Sequence, residues 1–303
     1  MKKIPFVLAF TLLTNFVFAG EKNTAETGLA FLKIVTNPRL EAMGGVQTSI
    51  SKNEESLTSN PSGLGANYGS SILVIHNNFL QSDRSNFVGI KTSGEKNAFG
   101  LAVRLHNVDG IELRDDVPTD SPFGEATANF LVANFSYSRK HSETWDYGVS
   151  LKYLYEDIYR YSAKGFGIDL GTKVHLLEKD LNFGLSILNL GRMEKLDTER
   201  TELPKSINFG FDYRFLDLME STNLVLAADY QNDFGNGTFY KTGLEIGYKE
   251  TFFIRSGYRF GYEALGFSAG FGLNWLSYSL DYSFTPYKDD LGNAHNFGVR
   301  ILF

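Results

Sequence analysis

The period of the chain is its strongest constraint. From Ser71 to the C terminus, apolar side chains recur at alternate positions, in segments of about ten residues against the five or six of an ordinary strand. Between Trp145 and Tyr155, the residues Trp145, Tyr147, Val149, Leu151, Tyr153 and Tyr155 share one face; Asp146, Gly148, Ser150, Lys152 and Leu154 share the other. Phe166, Ile168, Leu170, Thr172, Val174 and Leu176 oppose Gly165, Gly167, Asp169, Gly171, Lys173 and His175 in the same manner. A helix needs apolar positions three and four apart, so this spacing selects extended strands.

Soluble sandwiches also alternate, so a second criterion is needed. Segment length supplies it, because about ten residues in a tilted strand cross a hydrocarbon core. Tyr, Trp and Phe gather towards the segment ends, where a ring with one apolar and one wet side suits a membrane interface. The opposite face is too polar and too rich in glycine for a dry sandwich core. It reads as the wall of a lumen.

Turn signals divide this region into segments near 71–79, 85–93, 97–107, 126–139, 145–158, 163–176, 181–190, 205–215, 223–232, 238–249, 252–260, 265–275, 277–286 and 294–303. That even number returns a bacterial barrel to its starting side. If the first segment runs outward, the two longest connections, 108–125 and 191–204, are both external, and Gly94-Glu95-Lys96, Leu177 to Asp180 and Glu250-Thr251 are short periplasmic turns. The predicted fold is all-β: a 14-stranded antiparallel transmembrane β-barrel over 71–303, preceded by an N-terminal hatch or plug segment over 20–70. In that segment Pro38 interrupts the run from Leu29 to Met43, before Gly44-Gly45 and the turn cluster from Asn60 to Gly65.

Residues 1–19 have the form of a cleaved signal peptide: Lys2 and Lys3, an apolar run from Ile4 to Phe18, then Val17-Phe18-Ala19 before Gly20. The expected location is the outer membrane of a diderm bacterium, with outer-membrane lipid as a partner. The chain has no Cys and a formal net charge of −6. Disulfide scaffolds and thiolate chemistry are thereby excluded, and nucleic acid is not an expected partner, since phosphate binding needs a concentrated cationic face.

The opening of the expected hatch carries a family likeness. Phe31-Leu32-Lys33-Ile34, Pro38-Arg39, Ala42-Met43-Gly44-Gly45, Glu55-Ser56-Leu57 and Asn60-Pro61-Ser62-Gly63-Leu64 resemble the start of the PorV/PorQ family. Gly148 to Tyr153, Gly165 to Gly171 and Asn189-Leu190-Gly191 resemble its central strands. The resemblance implies a FadL-related barrel with a hatch, acting without enzymatic activity in type IX-like protein secretion or surface-protein attachment. Secretion-system or cargo proteins would then be partners at the extracellular face. The rival reading is a FadL-like channel for hydrophobic or small solutes, with a hydrophobic ligand as its partner.

Candidate residues follow from the facing. Lys152, Asp169, Lys173, Asp212, Arg214, Lys241, Glu245, Arg255, Arg259, Asp281 and Arg300 fall on the inward side. On the lipid side an Arg or Lys would cost roughly 2–4 kcal/mol at the midplane. They are expected either to pair around a hatch or to line a solute path as selecting charges. In the 108–125 connection, Asp109, Glu112, Asp115, Asp116 and Asp120 form an acidic cluster without EF-hand spacing, either a solvated loop or a contact for a partner or divalent ion. The five histidines show no metal-site spacing, no GxSxG elbow occurs, and no cofactor or catalytic residue is assigned. Phe303 ends an alternating aromatic and aliphatic strand that resembles an outer-membrane assembly signal.

Overall fold

The computed structural model of the chain describes residues 28–79, 83–114, 120–197, 199–235 and 237–303. The signal-peptide segment, and Asp115 and Asp116 of the acidic connection, lie outside the described residues. The strands are β1 Gly69–Asn78, β2 Asp83–Ser93, β3 Asn97–Leu113, β4 Gly124–Ser142, β5 Trp145–Ile158, β6 Tyr161–Leu176, β7 Leu181–Met193, β8 Lys195–Leu196, β9 Glu199–Arg200, β10 Ser206–Met219, β11 Thr222–Asp233, β12 Gly237–Tyr248, β13 Phe252–Phe260, β14 Phe267–Trp275, β15 Tyr278–Pro286 and β16 Asn293–Leu302.

All but β8 and β9 close into one barrel of fourteen antiparallel strands, each beside its neighbour in the chain. β1 pairs with β2 on one side and with β16 on the other. Closure matters because an unpaired edge has no hydrogen-bond partner in hydrocarbon. At one end, the turns 94–96, 143–144, 177–180, 220–221, 249–251 and 276–277 are short; at the other, connections such as 114–123 and 194–205 are long. Outer-membrane barrels keep their short turns in the periplasm. That orients the molecule, with the start of β1 and the end of β16 at the periplasmic side.

The pleat sorts side chains as the alternation implies. Along β5, Trp145, Tyr147 and Leu151 are exposed, whereas Asp146, Ser150, Lys152 and Glu156 are buried. The exposed exterior is apolar: Leu101, Leu151, Ile168, Leu170 and Ile254 occupy its middle. Trp145, Tyr248, Trp275 and Tyr278 ring the periplasmic end, and Tyr159, Tyr161, Tyr258 and Phe267 the other.

Both long connections are shorter than the sequence suggests. β3 runs on to Leu113 and β4 begins at Gly124, so much of 108–125 is a continuing hairpin. A register shift between Val108 and Ile111, with Gly110 at φ 70°, bends that hairpin without ending it. Polar residues do not terminate a strand whose backbone groups still have ladder partners. Within 191–204, β7 continues to Met193 and β8 pairs with β9 as a small ribbon. Phe303 closes the barrel at the periplasmic rim: its N–H donates to the Ser70 carbonyl at 3.0 Å, and its side chain is exposed.

Candidate functional site

Residues 28–68 lie against the inward faces of the strands, and nearly all of 35–65 is buried. Their structure is a series of short turns: 3-10 helices Ala30–Lys33, Asn53–Thr58 and Pro61–Gly65, and one short helix, α1, Pro38–Ala42. Pro38 opens α1, where a missing N–H costs nothing. Asn37 caps the helix, its Oδ1 accepting from the Leu40 N–H at 3.2 Å. The segment begins at the extracellular mouth, where Leu29 and Phe31 pack with Leu154, Met193 and Leu203. It ends near the periplasmic rim, where the Asn67 carbonyl accepts from Lys91 Nζ at 2.5 Å.

Several inward glycines are seats for this segment rather than open lumen wall. A Cβ on Gly148 would stand 2.5 Å from the Pro61 carbonyl carbon, and one on Gly243 would stand 2.5 Å from the Met43 oxygen. At Gly184 and Gly257 it would collide with the backbones of Thr48 and Gly44.

A buried ionic network holds the segment to β12, β13, β15 and β16. Arg39 forks onto Glu245, with Nε at 2.9 Å and Nη2 at 3.1 Å, and its Nη1 reaches Glu55 at 3.0 Å. Arg255 bridges Glu245 and Asp281, both at 2.6 Å. Arg300 contacts Glu54 at 2.8 Å and Glu55 at 3.0 Å. Arg259 pairs with Glu41, whose other oxygen accepts from the Thr285 hydroxyl at 2.8 Å. Bidentate geometry and several hydrogen bonds per ion are the conditions under which buried charges offset their desolvation. Burial alone would raise the Glu55 carboxyl, but the guanidinium groups of Arg39 and Arg300 hold it below the usual carboxylate range.

Uncharged turns of the segment are tied down on β11, next to β12, and on β6 further round the barrel. Asp229 on β11 accepts from the N–H groups of Gln47 and Thr48 at 2.8 and 2.9 Å and from the Thr48 hydroxyl at 2.8 Å. Lys173 donates to the Ser51 carbonyl. Asn60 Nδ2 donates to the carbonyls of Thr48 at 2.8 Å and Thr172 at 3.1 Å, while its Oδ1 caps the turn at Ser62.

The inward charges chosen from the sequence therefore divide into two sets. Lys173, Glu245, Arg255, Arg259, Asp281 and Arg300 belong to the contacts just described. Lys152 pairs with Asp169 at 2.6 Å, and Lys241 donates to Gln231 at 2.6 Å. Asp212 is buried beside Asn182, but its neighbour Arg214 is part-exposed, with Nε 3.4 Å from Asp212. Outside, Asp109 and Glu112 lie on β3 rather than in a free loop. Asp109 pairs with Arg84 at 2.5 Å, Glu112 pairs with Arg114 at 2.8 Å, and Asp120 is exposed.

Sequence reasoning did not assign Arg39, Glu41, Glu54 and Glu55 to the site. A signal was available: cations outnumber carboxylates in the inward set, so a dry interior required acidic groups from elsewhere in the chain.

No protein-family model and no curated protein matches the sequence. Solved structures do. CymD, described as a monoaromatic hydrocarbon channel, matches over 88% of this chain and 97% of its own, with TM-score 0.63 and 12% identity. The toluene transporter TbuX of Ralstonia pickettii matches over 88% and 98%, with TM-score 0.62 and 10% identity. A FadL homologue from Pseudomonas aeruginosa matches over 88% and 97%, with TM-score 0.58 and 11% identity. At these identities the likeness is one of fold. The chain is a closed 14-stranded β-barrel with the fold of these outer-membrane FadL-like channels; the similarities do not reach the PorV/PorQ family.

Proposed function

We propose that this barrel is a plugged channel for hydrophobic or small solutes, with residues 20–70 as its hatch and 1–19 as a cleaved leader. The observation that carries the reading is an apolar cluster at the extracellular mouth, one of three in the interior. Val132, Leu154, Ala163, Met193 and Leu203 line it, with Phe130 against its edge, and the chain's own Leu29 and Phe31 occupy it. Such a cluster beside a segment of few regular hydrogen bonds suits a small apolar guest that displaces Leu29 and Phe31. Two of the structures that share the fold are described as a hydrocarbon channel and a toluene transporter. The first set of inward charges then serves to anchor the hatch.

Secretion or surface-protein attachment, as the PorV/PorQ resemblance implies, is the second reading. The observation favouring it is the projecting β3–β4 hairpin, with Ile111 and Phe123 exposed.

Uptake separates the two. Cells lacking their own FadL-like transporter and expressing this chain are expected to accumulate radiolabelled toluene several-fold faster than cells carrying an empty vector. Uptake equal to the control, with secreted proteins recovered on affinity purification from outer membranes, would overturn the channel reading.

A further inference from the structure

We propose that the outer wall carries a binding site for a phosphorylated glycolipid of the extracellular leaflet, of the lipid A type, where β6 meets β7. The site is a notch of about 290 Å³ that includes Lys164, Phe166, Arg192, Glu194 and Arg200 in its lining.

Strand register fixes the facing. Phe166 stands opposite Arg192, and the Glu194 N–H donates to the Lys164 carbonyl at 2.7 Å. Met193, between Arg192 and Glu194, is buried in the apolar cluster at the mouth, so its two neighbours point outward. Lys164 and Phe166 are exposed on the same face, and Ala163 and Gly165 are buried. Directly below, the exposed Ile168 and Leu170 continue the lipid-facing row. The notch thus lies where the apolar belt gives way to the extracellular rim.

Three cations are grouped in it. Arg84 and Arg114 are neutralised within the protein, by Asp109 and Glu112. Among the described residues, Lys164, Arg192 and Arg200 make no ion pair, and Glu194 is the one carboxylate lining the notch. Unpaired cations grouped at the edge of an acidic chain repel one another and gain most from a shared anion. Phosphate suits them, because a guanidinium fork matches its oxygens and an ammonium adds a point charge. The adjoining Phe166, Ile168 and Leu170 extend the site to acyl chains, which an inorganic phosphate lacks.

Native mass spectrometry of the purified chain in detergent tests the site, with three probes: diphosphoryl lipid A, its dephosphorylated form and inorganic phosphate. Diphosphoryl lipid A is expected to bind at least about tenfold more tightly than the dephosphorylated lipid. The triple substitution Lys164→Ala, Arg192→Ala, Arg200→Ala is expected to abolish that preference, whereas Arg84→Ala retains it. Equal binding of the two lipids by the native chain overturns the proposal, and this comparison decides even if the triple variant does not fold. The proposal also fails if a folded, heat-modifiable triple variant keeps the preference. Displacement of the lipid by inorganic phosphate at matched concentration would reduce the notch to a simple anion site and contradict the lipid assignment.

Discussion

Arg39→Ala is expected to loosen the hatch while leaving the barrel intact, producing steady ion conductance in planar bilayers where the native chain is expected to stay closed. The reason is local. Arg39 supplies three of the contacts that neutralise Glu245 and Glu55, and its removal leaves Glu245 to Arg255, and Glu55 to Arg300 and the Lys52 N–H. Breaking a buried pair from one side costs about 3–5 kcal/mol. The barrel ladder is untouched, so heat-modifiable mobility should persist while residues 28–68 become open to trypsin. Unchanged conductance and protease resistance would show that the network is not what holds the segment.

Acid should act in the same direction. Because the Glu55 carboxyl is held below its ordinary range, its pairing stabilises the folded state at pH values above the unfolded carboxylate value, about 4.3. That contribution is lost as the pH falls through the lower folded-state value.

Leu151→Arg is expected to reduce membrane assembly severely, whereas Ser150→Ala leaves it near the native level. These neighbours stand on opposite faces of β5, Leu151 exposed and Ser150 buried beside Ser136, to which its hydroxyl is hydrogen bonded at 2.6 Å. A guanidinium at mid-height on the lipid side costs roughly 2–4 kcal/mol, and loss of one serine hydroxyl bond costs about 1 kcal/mol. The folded fraction on unheated gels reads the difference. Equal yields would contradict the facing.

The barrel was legible in the sequence because alternation is a local signal: each of β5, β6 and β10 announces its two faces without reference to its neighbours. The ends of β3 and β4 were not, since the strands continue past the membrane through Asp109 and Glu112, where polarity looks like a loop. Apart from the family resemblance of its motifs, the hatch was visible only as a break in the period. Its anchors join residues some two hundred positions apart, as Arg39 and Glu245 do, and no spacing rule reports such a contact. The inward glycines were read correctly as facing the interior, but the reason for them, the close approach of the backbones at Met43 and Pro61, appears only in three dimensions.

The central claim is that one face of this closed sheet touches hydrocarbon and the other touches a chain segment. The absence of cysteine permits a direct measurement, with single cysteines at the neighbouring pairs Phe135 and Ser136, Leu151 and Ser150, and Leu185 and Ser186, labelled with bimane after reconstitution with brominated lipid. The lipid is predicted to quench the probes at positions 135, 151 and 185 and to spare those at 136, 150 and 186. Quenching of the serine positions, or of neither set, would contradict the account.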